Sequence, residues 1–159
     1  MDWTIWSGLL LTLLPGAESR MGLPAIIYSV LKEGGSIWPW FFLVVILNSL
    51  LVLVIFFFLE FIHHRLEGWK LYHKTAGRFI EKHKKTAEKV QEKMHNLGYI
   101  ALALFVAIPF TGTGAYTATT VAWILGLSKR KSFIAISIGV FFASLITLYI
   151  TLFALGLIN

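Results

Sequence analysis

Leu14-Pro15-Gly16-Ala17-Glu18-Ser19-Arg20-Met21-Gly22-Leu23-Pro24 interrupts a largely apolar run, and how the chain accommodates that interruption decides the fold. Residues 3–14 before it and 23–31 after it are mostly apolar. At about 1.5 Å per residue, neither flank can cross a hydrocarbon core of about 30 Å by itself. Proline and glycine at mid-depth free backbone groups that lipid cannot satisfy. The region is therefore either one broken helix or a re-entrant hairpin that enters and leaves on the same side. A second interruption, Pro109-Phe110-Thr111-Gly112-Thr113-Gly114, divides residues 98–108 from 115–127 in the same way.

Two further stretches are unbroken. Residues 37–62 and 132–158 each supply the roughly 20 apolar residues that a membrane crossing needs. Hydrophobic residues make up 57% of the 159 positions and charged residues only 14%, which points to an integral membrane protein with no globular domain outside the bilayer. Nine of the fourteen Lys/Arg and all five His fall between Glu60 and His95, so the net charge of +6 is a local feature. A basic face beside a membrane meets anionic headgroups, and nothing here calls for nucleic acid. The absence of cysteine excludes disulfides and thiol chemistry. Asp2 stands where a signal peptide would be basic, and no A-x-A site follows, so no cleaved leader is expected.

Charge placement favours hairpins over broken helices. Residues 63–96 belong in the cytoplasm by the positive-inside rule. A full crossing by 98–127 would leave Lys129-Arg130-Lys131 outside, whereas a hairpin returns them to the cytoplasm. Trp3 and Trp6 share an interfacial belt with Trp38 and Trp40 if the first hairpin starts and ends outside. The expected fold is all-α and has three parts. Residues 1–62 form a first repeat (hairpin 3–31, transmembrane helix 37–62). Residues 63–96 form a long basic amphipathic cytoplasmic helix, and 97–159 a second repeat (hairpin 98–127, transmembrane helix 132–158). Pro15 and Pro109 align at an offset of 94 residues, and the two units enter from opposite sides, as in an inverted repeat. Such repeats place binding sites near the midplane, where interrupted helices expose free backbone groups.

The stretch 14–24, together with Pro109-Phe110-Thr111-Gly112-Thr113-Gly114-Ala115, Ala122 and Leu125-Gly126-Leu127, resembles the putative small multidrug export proteins. That family is similar, at a distance, to the DedA/VTT membrane proteins, which also carry two hairpins in inverted repeats. The resemblance covers nearly the whole chain and implies transport. One departure is visible: DedA proteins place an arginine in the second hairpin, where this sequence offers Thr111, Thr113 and Tyr116.

Glu18 and Arg20 are the ionisable residues expected at membrane depth, where a lone charge costs several kcal/mol, so pairing or contact with water is required. Two readings stand side by side. In one, Glu18 accepts a transported proton and Arg20 holds an anion or controls the carboxylate; in the other, a Glu18–Arg20 bridge staples the hairpin. Pro15, Gly16 and Pro24 shape the first tip, and Pro109, Gly112 and Gly114 the second. There Thr111, Thr113 and Tyr116 could offer hydroxyls and amides to a substrate, or the small residues could simply let the hairpins pack.

Within 63–96, Ile62, Leu66, Trp69, His73, Ala76, Ile80, His83, Ala87, Val90, Met94 and Leu97 follow an a/d seam. The histidines read as solvated or seam residues, since no carboxylate pair completes a metal site. No cofactor is implied, and no nucleophile–base set, P-loop or H-E-x-x-H motif suggests an enzyme. The expected function is secondary, ion- or proton-coupled export of small molecules across the cytoplasmic membrane, with the site at the hairpin tips and both termini outside. A lipid or polyprenyl-phosphate translocase and a non-transporting structural protein are the alternatives. The expected partners are membrane lipids at 63–96, a small-molecule or lipid substrate, and a second copy in a homodimer. Two spans look too few to surround two hairpin tips.

Overall fold

The computed structural model describes residues 3–66, 97–109 and 114–158. All regular structure among them is helical: α1 (Trp3–Leu13), α2 (Glu18–Lys32), α3 (Trp38–Leu66), α4 (Leu97–Ala107), α5 (Ala115–Ile124) and α6 (Lys129–Ala154). The amphipathic helix read from 63–96 lies outside the described residues beyond the end of α3.

Among the described residues two helices are long and apolar enough to cross a membrane: residues Trp38–Arg65, with mean hydropathy 3.1, and Lys129–Ala154, with 2.3. Pro39 falls in the first turn of α3, where its missing N–H costs nothing. Phe42, Ile46, Phe57 and Phe61 on α3, with Ile134, Ile138 and Ile150 on α6, are exposed. An apolar surface of that extent belongs in lipid. The ends differ from the hydropathy reading. α3 runs on to Leu66, while α6 starts at Lys129 and stops at Ala154. Hydrogen bonding sets the latter boundary: Gly156, at φ 69°, turns its N–H to Phe153 O although the apolar run continues.

The first interruption is shorter than the residues suggested. Only 14–17 leave the helix, so Glu18 and Arg20 stand in the first turn of α2 and Pro24 lies inside it. Gly16, at φ 85°, makes the reversal. Glu18 follows at φ 45°, the one described non-glycine residue with a positive φ. A left-handed L-residue costs roughly 1–2 kcal/mol, so something must hold Glu18 there.

Close backbone approach organises the rest, since lipid offers no hydrophobic drive and small residues must let the helices pack. A methyl group at Gly22 would overlap Thr12 and the Gly8 carbonyl, and one at Gly8 would meet Ile26 Cγ1 at 2.6 Å. Those pairings make α1 and α2 antiparallel. They also bring Trp3 and Trp6 to the end of the molecule where Trp38 begins α3. α4 lies instead along α6, where a Cβ on Gly139 would come within 2.6 Å of the Ala103 carbonyl. The Ser128 N–H donates to Tyr99 Oη at 3.1 Å, so the start of α4 and the exit from α5 stand at one level. Lys129 Nζ bonds Glu60 Oε1 at 2.6 Å, which puts that level at the far end of α3.

The second arms exchange. α2 packs on α6 as well as α3, and α5 packs on α3 as well as α6. Two apolar clusters result. Ile5, Leu23, Ile26, Phe41 and Val44 gather with Leu148 near one end, and Phe56, Leu102, Ala118 and Val52 gather with Val140 and Ile136 near the other.

Candidate functional site

Where α1 turns into α2, the chain meets the break between α4 and α5. Each tip satisfies backbone groups that the other leaves open. The Glu18 carboxylate accepts the Ala115 N–H on Oε2 at 3.0 Å and the Tyr116 N–H on Oε1 at 3.3 Å. These are two of the unpaired amides at the N-terminus of α5, where a negative charge is also favoured by the helix dipole. Tyr116 returns the service: its hydroxyl donates to Leu13 O, at the end of α1, at 2.6 Å. Arg20 Nη2 donates to Ile108 O, beside Pro109, at 3.4 Å. The result is a reciprocal clasp built from two peptide breaks 94 residues apart.

This arrangement explains the strained backbone. Glu18 is only 6% exposed, and its carboxylate reaches the α5 amides from a left-handed conformation that ordinary helix geometry would not supply. Two charge-assisted hydrogen bonds, each worth roughly 1.5–3 kcal/mol, outweigh the cost of that φ. Gly114 has φ −87° and ψ −172°, which any residue can adopt. Its glycine is required for space, because a methyl group there would overlap the Glu18 carboxylate.

The site residues read from sequence are thus partly gathered. Glu18, Arg20, Gly114 and Tyr116 meet in the clasp, and Pro109 borders it through Ile108. Pro15 and Gly16 sit in the exposed turn before it. Pro24 is a full turn into α2 and has no N–H to give the Arg20 carbonyl. Thr111, Gly112 and Thr113 lie outside the described residues. Glu18 and Arg20, one helical turn apart at most, both also make bonds that cross between the two hairpins. His63 packs its ring against Trp123 at 5.4 Å, and no metal-holding group occurs among the described residues; His73, His83 and His95 lie outside them.

Sequence reading passed over two residues. Asn48 is 1% exposed and Ser144 is fully buried. Asn48 Nδ2 donates to Val44 O at 2.9 Å, which fixes Oδ1 as an acceptor with no partner among the described residues. Ser144 Oγ also lacks one. Thr119 and Thr147, in contrast, donate to the carbonyl four residues back, while Ser132 Oγ and Ser137 Oγ share the lack of a partner among the described residues. Val44 packs in the cluster with Leu148 and Val52 in that with Val140, so antiparallel α3 and α6 set Asn48 and Ser144 at one level between the clusters. A lone amide at the centre of a 29-residue apolar helix was the available signal.

Among the described residues, two helices long and apolar enough to cross a membrane, outward apolar faces and a buried polar clasp between interrupted helices point to a helical membrane protein. Residues 5–146 match the family described as putative small multi-drug export protein, and the chain belongs to that family. It is a family named for export and not for catalysis. No curated protein and no solved structure matches the chain.

Proposed function

We propose that the protein is a proton-coupled exporter whose site is the clasp between the hairpin tips, with α1–α2 and α4–α5 acting as re-entrant hairpins in an inverted repeat. One observation carries this reading: Glu18 is buried, held at a strained φ and bonded through its carboxylate to the open amides of α5, a contact that is stronger while that carboxylate is charged. Protonation removes the charge that holds the clasp, so loading a proton and opening the tips become one event. Arg20 and the α5 amides then face whatever anionic or polar group the substrate brings. Asn48 Oδ1 and Ser144 Oγ, between the two apolar clusters, offer a second polar position on the path.

The repeat is supported by the exchange of second arms and by matching ends. Gly34 after α2 and Gly126 after α5 both take positive φ and close their helices through the same pair of backbone bonds. The re-entrant topology is supported by Tyr99–Ser128 and Lys129–Glu60, which bring both ends of α4–α5 to the basic end of α3. That end is proposed to face the cytoplasm. Single cysteines at Gly34 and Lys129, labelled with an impermeant reagent on intact cells, check it. Position 34 should label and 129 should not; the reverse pattern would overturn the topology.

Proteoliposomes with a pH-sensitive dye inside test the function. Substrate-dependent proton movement is the expected result. Transfer of a labelled lipid between leaflets with no proton movement would replace export by lipid translocation.

A further inference from the structure

A groove of about 440 Å³ runs between α4 and α6, and neither Glu18 nor Arg20 lines it. Its volume falls within the roughly 300–1,000 Å³ of small-ligand sites. Tyr99 and Lys131 stand at one end, Ala103, Ala107 and Ala135 line its length, and Phe142 closes the other end. The close approach of α4 to α6 at Gly139 forms its back, and the alanines leave it hollow where larger aliphatic side chains would fill it.

The two ends differ in chemistry. Lys131 Nζ lies 5.8 Å from the centre of the Tyr99 ring, a cation–π arrangement that holds the ammonium at the mouth. Lys129 and Arg130 precede it on the same helical turn, and the Tyr99 hydroxyl is tied to the Ser128 N–H. Beyond the mouth the lining is apolar. From Lys131 to Phe142 is eleven residues of helix, about 16 Å at 1.5 Å per residue. That is about half of a 30 Å hydrocarbon core, the depth of one leaflet.

We propose that this groove is a binding site for an anionic phospholipid, with one acyl chain between α4 and α6 and the phosphate at Lys131 and Tyr99. Charge at the mouth, an apolar channel behind it and a length of one leaflet match the two halves of that molecule. The deep end at Ala107 adjoins Ile108, whose carbonyl accepts the Arg20 bond, so the end of the bound chain lies beside the clasp. The site stands independently of proton coupling or export.

Native mass spectrometry of the full chain in mild detergent tests it, with phosphatidylglycerol and phosphatidylcholine of equal chain length as probes. Phosphatidylglycerol should bind in preference, and Lys131→Ala should weaken it roughly five-fold or more. Lys32→Ala removes the same charge from the exposed end of α2 and should change nothing. Ala107→Phe should weaken both lipids by filling the channel. Equal binding of the two lipids would overturn the proposal. So would equal losses from Lys131→Ala and Lys32→Ala, which would mean diffuse attraction without a site.

Discussion

Glu18→Gln is expected to abolish proton-coupled transport while the protein still inserts and folds. Glutamine keeps an oxygen for one α5 amide but turns an NH₂ toward the other and cannot cycle a proton. Loss of charge weakens two hydrogen bonds, by roughly 1–2 kcal/mol each from the difference between charged and neutral acceptors. The apolar clusters, which do not include Glu18, keep the helices packed. Arg20→Ala should also abolish transport, by leaving the Ile108 carbonyl without its guanidinium donor. Flux in proteoliposomes, measured beside detergent-purified yield and a gel-filtration profile, separates activity from folding. Full activity of Glu18→Gln across the pH range would remove the proton role and leave a clasp that only staples the hairpins.

The second large effect belongs to Gly114→Ala. Its added methyl meets the carboxylate of Glu18 where the α5 amides are bound, and overpacking of this kind costs about 1–3 kcal/mol. Backbone preference contributes nothing, since φ −87° suits alanine. The cost should therefore depend on Glu18. In a Glu18→Ala background the space is vacant, and adding Gly114→Ala should cost under about 0.5 kcal/mol, a coupling that a double-mutant cycle reads from thermal or denaturant unfolding in detergent. An equal penalty in both backgrounds would show that the carboxylate is seated elsewhere.

Much of the scaffold could be read from composition and interruption. The spans announce themselves because lipid allows long apolar helices without compensation, and the breaks because Pro15 and Pro109 cannot continue a hydrogen-bonded ladder. The extent of the first break was misjudged: residues 15–22 look non-helical by content, yet one glycine at 16 completes the reversal and the helix resumes at Glu18. Glu18 and Arg20 were found because charge inside an apolar run is costly wherever it lies. Their partners across the molecule were not, because the carboxylate also reaches residues 97 and 98 positions away, a separation that no local pattern in the sequence marks. Ser144 was invisible, since a serine in a membrane helix ordinarily bonds its own backbone. The homodimer was inferred from tips that two spans could not enclose. Exchange of second arms between the units leaves Glu18 6% exposed within one chain, and a second copy remains a proposal for enclosing the rest of the tips.

The clasp also has a mechanical meaning. Its bonds run in both directions between the same two breaks, so the α1 and α4 ends and the start of α5 are tied to one another. A displacement that lifts Glu18 from α5 pulls at the α1 terminus through Tyr116 and at the α4 terminus through Arg20. The two halves then behave as one hinge with a single coordinate. Any ligand that prefers one position of either tip shifts the other by the same free energy, and the influence runs equally in reverse.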